Sequence, residues 1–177
     1  YSIIHNCIDT NMFTYIKKSP EQRKKILSIR PYASKIYAND LMVKVIQKLS
    51  KENFFGELQF LIIGDGVLFD KTVAPLRKIS NVEIRKTFLR QSEIVELYHE
   101  FGMVLIPSRG DTQGVSRDEA MSCGVVPITN AVGAIPEFVD NESGVIVEAE
   151  NWEAMADEIK KIYFDVDRFQ RLSENAS

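Results

Sequence analysis

The run Leu58 to Ile63, LQFLII, stops abruptly at Gly64-Asp65-Gly66. A strand with one wet face alternates apolar and polar residues. A near-continuous apolar run closed by turn formers reads instead as a strand buried on both faces, and such strands belong to parallel sheets covered by helices. The rest of the chain must therefore supply more strands of this kind and the helices to cover them. Lys25 to Arg30, Val82 to Thr87, Met103 to Ile106, Val125 to Thr129 and Gly144 to Glu148 read as further strands. Between them, Asn39 to Leu49 carries apolar residues at Leu41, Val45, Ile46 and Leu49, which is helical spacing with Asn39 or Asp40 available as cap. Glu93 to His99, Gly114 to Ser122, Trp152 to Phe164 and a polar stretch from Asp167 onward complete the helices, and the opening YSIIHNCIDTNMF reads as a short apolar strand running into turn formers. Strands alternating with helices predict an α/β fold, an open, mostly parallel, Rossmann-like sheet flanked by helices. No repeat, low-complexity segment or linker divides the chain, so 1–177 is expected to be one domain.

The site is expected in the stretch Pro107 to Asp140. It follows a buried strand, opens with a polar, Gly-punctuated loop and enters a helix near Gly114. A helix start at the carboxyl edge of a parallel sheet presents unpaired N–H groups to an anion, and Gly114 carries no side chain to keep a phosphate away. Asp111 lies just before this helix and Glu119 more than a turn inside it, so the two acids suit opposite ends of a long ligand with a diphosphate between them.

Composition removes other classes. A formal charge of -3 argues against non-specific nucleic-acid binding. Cys7 and Cys123 are most economically two free thiols in a reducing, intracellular setting, with Cys123 structural. No apolar run approaches a membrane span. His5 and His99 lack the neighbours of a metal site, Asp165-Val-Asp167 falls at a helix junction and reads as surface polarity, and Gly64-Asp65-Gly66 alone is a weak nucleotide signal, because Phe69 stands where a third glycine would be. The chain begins at Tyr1 and enters Ile3-Ile4 directly, as though in mid-protein; a fragment of a longer polypeptide is expected.

RPYASK, LQFLIIGDG and IPSRGDTQGVSRDEAMSCGVVPITNAVGAIPEFV, in that order and spacing, resemble the carboxyl-terminal half of a retaining glycosyltransferase of family 4 (glycosyl transferases group 1), which has the two-domain GT-B architecture. HNCIDTNMF resembles the passage by which that family enters its second domain. The most specific match is the acid pair Asp111 and Glu119 followed by Ala120, Met121, Cys123, Gly124 and Pro127. The resemblance implies one half of a GT-B fold that binds a nucleotide sugar such as a UDP- or GDP-sugar. The amino-terminal domain, absent here, would bind most of a saccharide or lipid-linked acceptor. It also implies no cofactor and no metal, a place in polysaccharide biosynthesis at the cytoplasmic side, peripheral membrane association through the absent half, and little transfer by this half alone.

By the same resemblance Arg30 and Lys35 hold the donor diphosphate, Asp111 contacts the donor sugar, and Glu119 accepts hydrogen bonds from the ribose. Gly114 and Val115 face the phosphates, Thr87, Phe88 and Leu89 cradle the base, and Gly64 and Gly66 form a close-approach turn. The chain departs from the family at Asp111, where Glu is common, at Thr112-Gln113 in place of Gly-Phe, at Ile29 and Ile36 in place of glycines, and at Ala134. Taken singly, each has a bland reading, Asp111 as a helix-start acid, Glu119 as a solvated helix residue, and Arg30 and Lys35 as surface charges; the four together at family spacing favour the site. A sugar-nucleotide epimerase or phosphorylase of the same architecture, or a non-catalytic module keeping the fold, are the alternatives.

Overall fold

The computed structural model describes residues 6–177. Six parallel strands form one sheet: β1 (Lys25–Ile29), β2 (Gln59–Gly64), β3 (Val82–Lys86), β4 (Met103–Leu105), β5 (Val126–Asn130) and β6 (Val145–Val147), in the order β3-β2-β1-β4-β5-β6. Every pairing is parallel, with β1 between β2 and β4. The strand order reverses direction between β1 and β4. In an open α/β sheet that reversal leaves a crevice beyond the carboxyl ends of the two strands, where ligands bind.

Six helices cover the sheet: α1 (Asn39–Leu49), α2 (Phe69–Val73), α3 (Gln91–Glu100), α4 (Val115–Ser122), α5 (Trp152–Phe164) and α6 (Val166–Ala176). On one face the apolar stripes of α1 and α5 pack with Ile26, Phe60 and Ile62. On the other, Tyr98 of α3 and Ala120 of α4 pack with Leu27, Leu61, Ile63 and Val104. Alternate residues of β1 and β2 thus point into opposite cores, which is why LQFLII is apolar throughout. The α1 and α5 ranges agree with the apolar periodicity, and Met155, Ile159 and Ile162 form the buried stripe of α5. Cys123 is buried and Cys7 exposed, both free thiols. Asp165, read as surface polarity, caps α6 through the backbone N–H of Arg168 at 2.8 Å.

Two sequence expectations change. α2 was not expected; it is five residues between Gly66 and Pro75, too short for periodicity to announce it. The opening strand falls partly on residues 1–5, outside the described residues, and residues 6–13 contain a turn in which Asp9 Oδ1 accepts from the N–H of Asn11 and of Met12.

Lys18 is 2% exposed, and its ammonium donates to the carbonyl of Tyr98 beside Cys123. Burial drives its pKa down to about 8, while the nearby Cys123 acts weakly the other way. Because the folded pKa lies below the unfolded one, the unfolded chain binds more protons between pH 8 and 10.5, so stability rises with pH across that window. Lys18→Met is expected to flatten this rise and to increase the melting temperature at pH 7. Denaturation curves of the two proteins across that range check it; parallel profiles would contradict the burial cost.

Candidate donor site

The crevice beyond β1 and β4 holds a cavity of about 480 Å³, lined by Arg30, Gly64, Thr87, Phe88, Leu89 and the loop from Asp111 to Ser116. These residues reach it from the carboxyl ends of β1, β2, β3 and β4 and from the start of α4. Of the expected site residues, Arg30, Asp111, Gly114, Val115, Gly64, Thr87, Phe88 and Leu89 come together here.

Arg30 is only 8% exposed. One guanidinium nitrogen donates to the carbonyl of Pro107 at 3.3 Å across the crevice, and the guanidinium lies over the ring of Tyr37 at 5.2 Å. Its Nε is buried without a partner among the described residues. Burial lowers its pKa from the ordinary arginine value and the Asp111 carboxylate opposes this. Because Arg30 lines the cavity, its guanidinium sets a positive charge beside any anion held there.

Gly114 caps α4 at φ +80, in the left-handed region, with no side-chain hydrogen bond to the helix start. A Cβ there would meet Arg117 Nη1 at 2.8 Å and Asp111 Oδ2 at 3.2 Å, and it is the left-handed backbone that favours glycine. Arg117 was not foreseen as part of the site. It is buried, stacks over Phe138 at 5.1 Å, donates to Asp118 at 2.6 and 2.9 Å and to the carbonyl of Gln113, and among the described residues its Nη1 has no partner. Gln113 in turn donates to the carbonyl of Asn6 at 2.9 Å and accepts from its N–H at 2.8 Å, fastening the opening segment to the loop.

Arg109 is the other residue sequence reasoning missed. Its backbone N–H donates to the carbonyl of Ile36 at 2.8 Å and its side chain to that of Lys35 at 3.0 Å. It grips Asp40 at 2.7 and 2.8 Å and Glu150 at 2.7 and 3.0 Å. The loop after β4 thereby fixes the loop after β1. Such partners lie far apart in sequence, and no local motif announces them.

Three expected residues lie elsewhere. The exposed Lys35 lines a neighbouring cavity rather than this one. At Gly64 a Cβ would stand 2.0 Å from the Arg30 carbonyl, and at Gly66 (φ +141) it would stand 2.6 Å from that of Tyr32, so the close approach both make is to the chain's own Arg30–Ala33 backbone. Glu119 is half-buried on α4, away from the cavity lining. Burial raises its pKa, and Asp118 adds to the rise. Its ionised form is therefore disfavoured by folding: the penalty is absent below the unfolded pKa and sets in as pH rises through the folded one. Glu119→Gln is expected to raise the melting temperature at pH 7 by about 1–3 °C and to leave it unchanged at pH 4. Scanning calorimetry at the two values checks this; a fall at pH 7 would contradict it. Among the described residues no group of three or more His, Cys, Asp or Glu could hold a metal ion, and no helix is long and apolar enough to cross a membrane.

A parallel sheet with a buried arginine and an uncapped helix start at its switch point defines a Rossmann-like α/β domain with an open crevice at its carboxyl edge. Residues 23–165 match the model of the glycosyl transferases group 1 family, and the chain belongs to that family. It is 30% identical over 182 residues to the N-acetyl-alpha-D-glucosaminyl L-malate synthase of Bacillus anthracis, covering 98% of this chain and 47% of that protein. With a D-inositol 3-phosphate glycosyltransferase of Mycolicibacterium smegmatis it shares 24% identity over 175 residues, 90% of this chain and 39% of the other. The chain thus spans less than half the length of these curated relatives. Among solved structures, the carboxyl-terminal domain of a glycosyl transferase group 1 family protein (LpcC) from Francisella tularensis superposes with a TM-score of 0.78 at 20% identity, covering 96% of this chain and 94% of that one. Anabaena Alr3699/HepE in complex with UDP and glucose superposes at 0.78 and 17% identity, covering 99% of this chain and 50% of the other. These likenesses establish the GT-B type of Rossmann-like domain.

Proposed function

We propose that this chain is the donor-binding, carboxyl-terminal half of a retaining glycosyltransferase. It would hold a nucleoside-diphosphate sugar while an amino-terminal half presents a saccharide or lipid-linked acceptor, in polysaccharide or glycoconjugate biosynthesis at the cytoplasmic side of the membrane. The observation that carries this reading is Arg30, a buried cation lining the cleft between β1 and β4 together with Gly114 and Val115 at the start of α4. The UDP bound in a structural neighbour of the same fold supports a nucleotide there. A relative named as an N-acetyl-alpha-D-glucosaminyl L-malate synthase supports a hexose-type donor.

In this reading the diphosphate lies across the α4 start, with Arg30 on its oxygens, Asp111 on the sugar and Thr87 to Leu89 around the base. As the bond from the anomeric carbon to phosphate breaks, its electron pair goes to the phosphate oxygen. Arg30 and the helix-start N–H groups stabilise the charge that develops. That oxygen takes the proton of the incoming hydroxyl, which forms its bond on the face the phosphate leaves. The positive charge comes from side chains and backbone, so no metal is required.

Titration of the chain with UDP in EDTA and in magnesium tests this. Saturable binding, equal within about twofold in the two buffers, is expected, with no measurable sugar transfer from UDP-glucose by this half alone. Binding that depends at least tenfold on magnesium would overturn the metal-independent reading.

A further inference from the structure

Arg30 and Asp111 line one cavity and carry opposite charges. Burial lowers the arginine's pKa, and the Asp111 carboxylate is near enough to oppose that. Two such groups in one cleft pair with each other unless something holds them apart. Among the described residues they form no ion pair: Arg30 donates to the carbonyl of Pro107 at 3.3 Å, while Asp111 Oδ1 accepts the backbone N–H of Gln113 at 3.2 Å. The acid is engaged by Gln113 and not by the cation.

An aspartate that bonds the N–H two residues on makes a local turn, and alone such a bond is readily exchanged for another partner. Here it is backed from several sides. Gln113 is buried, and its side-chain amide clasps Asn6 as a peptide group would, accepting the N–H at 2.8 Å and donating to the carbonyl at 2.9 Å. The same amide nitrogen reaches Asp118 at 3.4 Å, and the Gln113 carbonyl accepts from the Arg117 guanidinium, which Asp118 also holds. The backbone of Asp111 is fixed from the far side. Ala134 donates its N–H to the Asp111 carbonyl at 3.3 Å, and at Gly133 (φ +58) a Cβ would stand 2.0 Å from that oxygen. With the backbone pinned on both sides, the freedom left to Asp111 is rotation of its side chain, and the Gln113 N–H sets it.

We infer that Gln113 is a positioning residue of the donor site: clasped to Asn6, it holds the Asp111 carboxylate off Arg30, so that the cation stays free for a diphosphate and the acid for the sugar beside it. This rests on the donor-site reading of the cleft. Without the clasp the loop loses its anchor and the carboxylate turns onto Arg30. The ion pair that forms must then be broken before a phosphate can bind, so apparent affinity falls with the fraction of protein left competent.

Calorimetric titration with UDP, GDP and ADP, each alone and as its glucose conjugate, tests this on the parent chain, Gln113→Met, Asp111→Asn and the two combined. For the nucleotide that the parent binds, Gln113→Met is expected to weaken binding at least about fivefold. Asn6→Pro, which removes the donor of one clasp bond and leaves Gln113 in place, should act in the same direction by a smaller factor. Adding Asp111→Asn to Gln113→Met should return nucleotide affinity to within about twofold of Asp111→Asn alone, because no carboxylate is left to pair with Arg30. The glucose conjugate, which has lost its acid, should not recover relative to the nucleotide. Recovery on removing a second group is a result that loss of structural support does not give. Unchanged nucleotide affinity in either clasp variant, or a double variant as weak as Gln113→Met, would overturn the inference and leave the donor site standing. No binding of any of the three nucleotides by the parent chain would overturn the donor reading and the inference with it.

Discussion

Arg30→Met is expected to weaken UDP binding at least about a hundredfold while leaving the melting temperature unchanged or higher. The two halves of this result have one cause. A methionine fills much of the arginine's volume, so the packing against Tyr37 is largely kept. What disappears is a cation that folding has taken out of water. Burial lowers its pKa and one nitrogen is left without a partner, so the free protein loses little when the charge is removed. The bound state loses much more. A charge-assisted contact to phosphate in a partly desolvated cleft is worth several kcal/mol when one partner is deleted, and each 1.4 kcal/mol is tenfold. Weaker binding with equal or greater stability is the signature of a residue kept for its ligand. Calorimetric titration and differential scanning calorimetry of the same samples read both halves; unchanged UDP affinity would remove Arg30 from the site.

Gly64→Ala should do the reverse, damaging fold and site together. The added methyl would stand 2.0 Å from the carbonyl oxygen of Arg30 and 2.8 Å from the ring of Tyr32. The first of these is backbone, and it is pinned: Arg30 donates its N–H to Ile63 at 3.0 Å, and Tyr32 donates to Asp65 at 2.8 Å. Neither strand end can retreat without breaking these bonds, so a loss of about 2–4 kcal/mol is expected, with displacement of Arg30 and loss of nucleotide affinity. Gly56→Ala is the control, since nothing lies within 4 Å of the methyl it would add. Urea denaturation of both variants checks this; equal midpoints would show that the β1 and β2 ends are not in contact as described.

The architecture was legible because burial on both faces leaves a direct mark. Runs such as LQFLII and MVLI carry no polar face, and the 3.6-residue stripes of α1 and α5 announce the helices that cover them. α2 left no such mark, being too short for a period. Arg30, Asp111 and Gly114 were legible as site residues because each stands at the end of a strand or the start of a helix, where an open sheet must bind its ligand. The direction of a side chain within a loop is not encoded that way. Lys35 lies five residues from Arg30, yet it lines the other cavity, because Ser34 caps the turn that begins at Lys35 and Arg109 holds the Lys35 and Ile36 carbonyls. Gly66 likewise serves the Tyr32 backbone rather than the cleft lining, and Arg117 and Gln113 act through partners that only folding brings near.

Amide chemical-shift mapping of the labelled chain titrated with UDP, GDP and ADP tests the donor-site assignment most directly. Saturable shifts are expected for one nucleotide, concentrated on Arg30, Gly64, Thr87 to Leu89 and Asp111 to Ser116, at the carboxyl ends of β1 to β4. Saturable shifts centred elsewhere on the sheet, or none with any of the three, would contradict it.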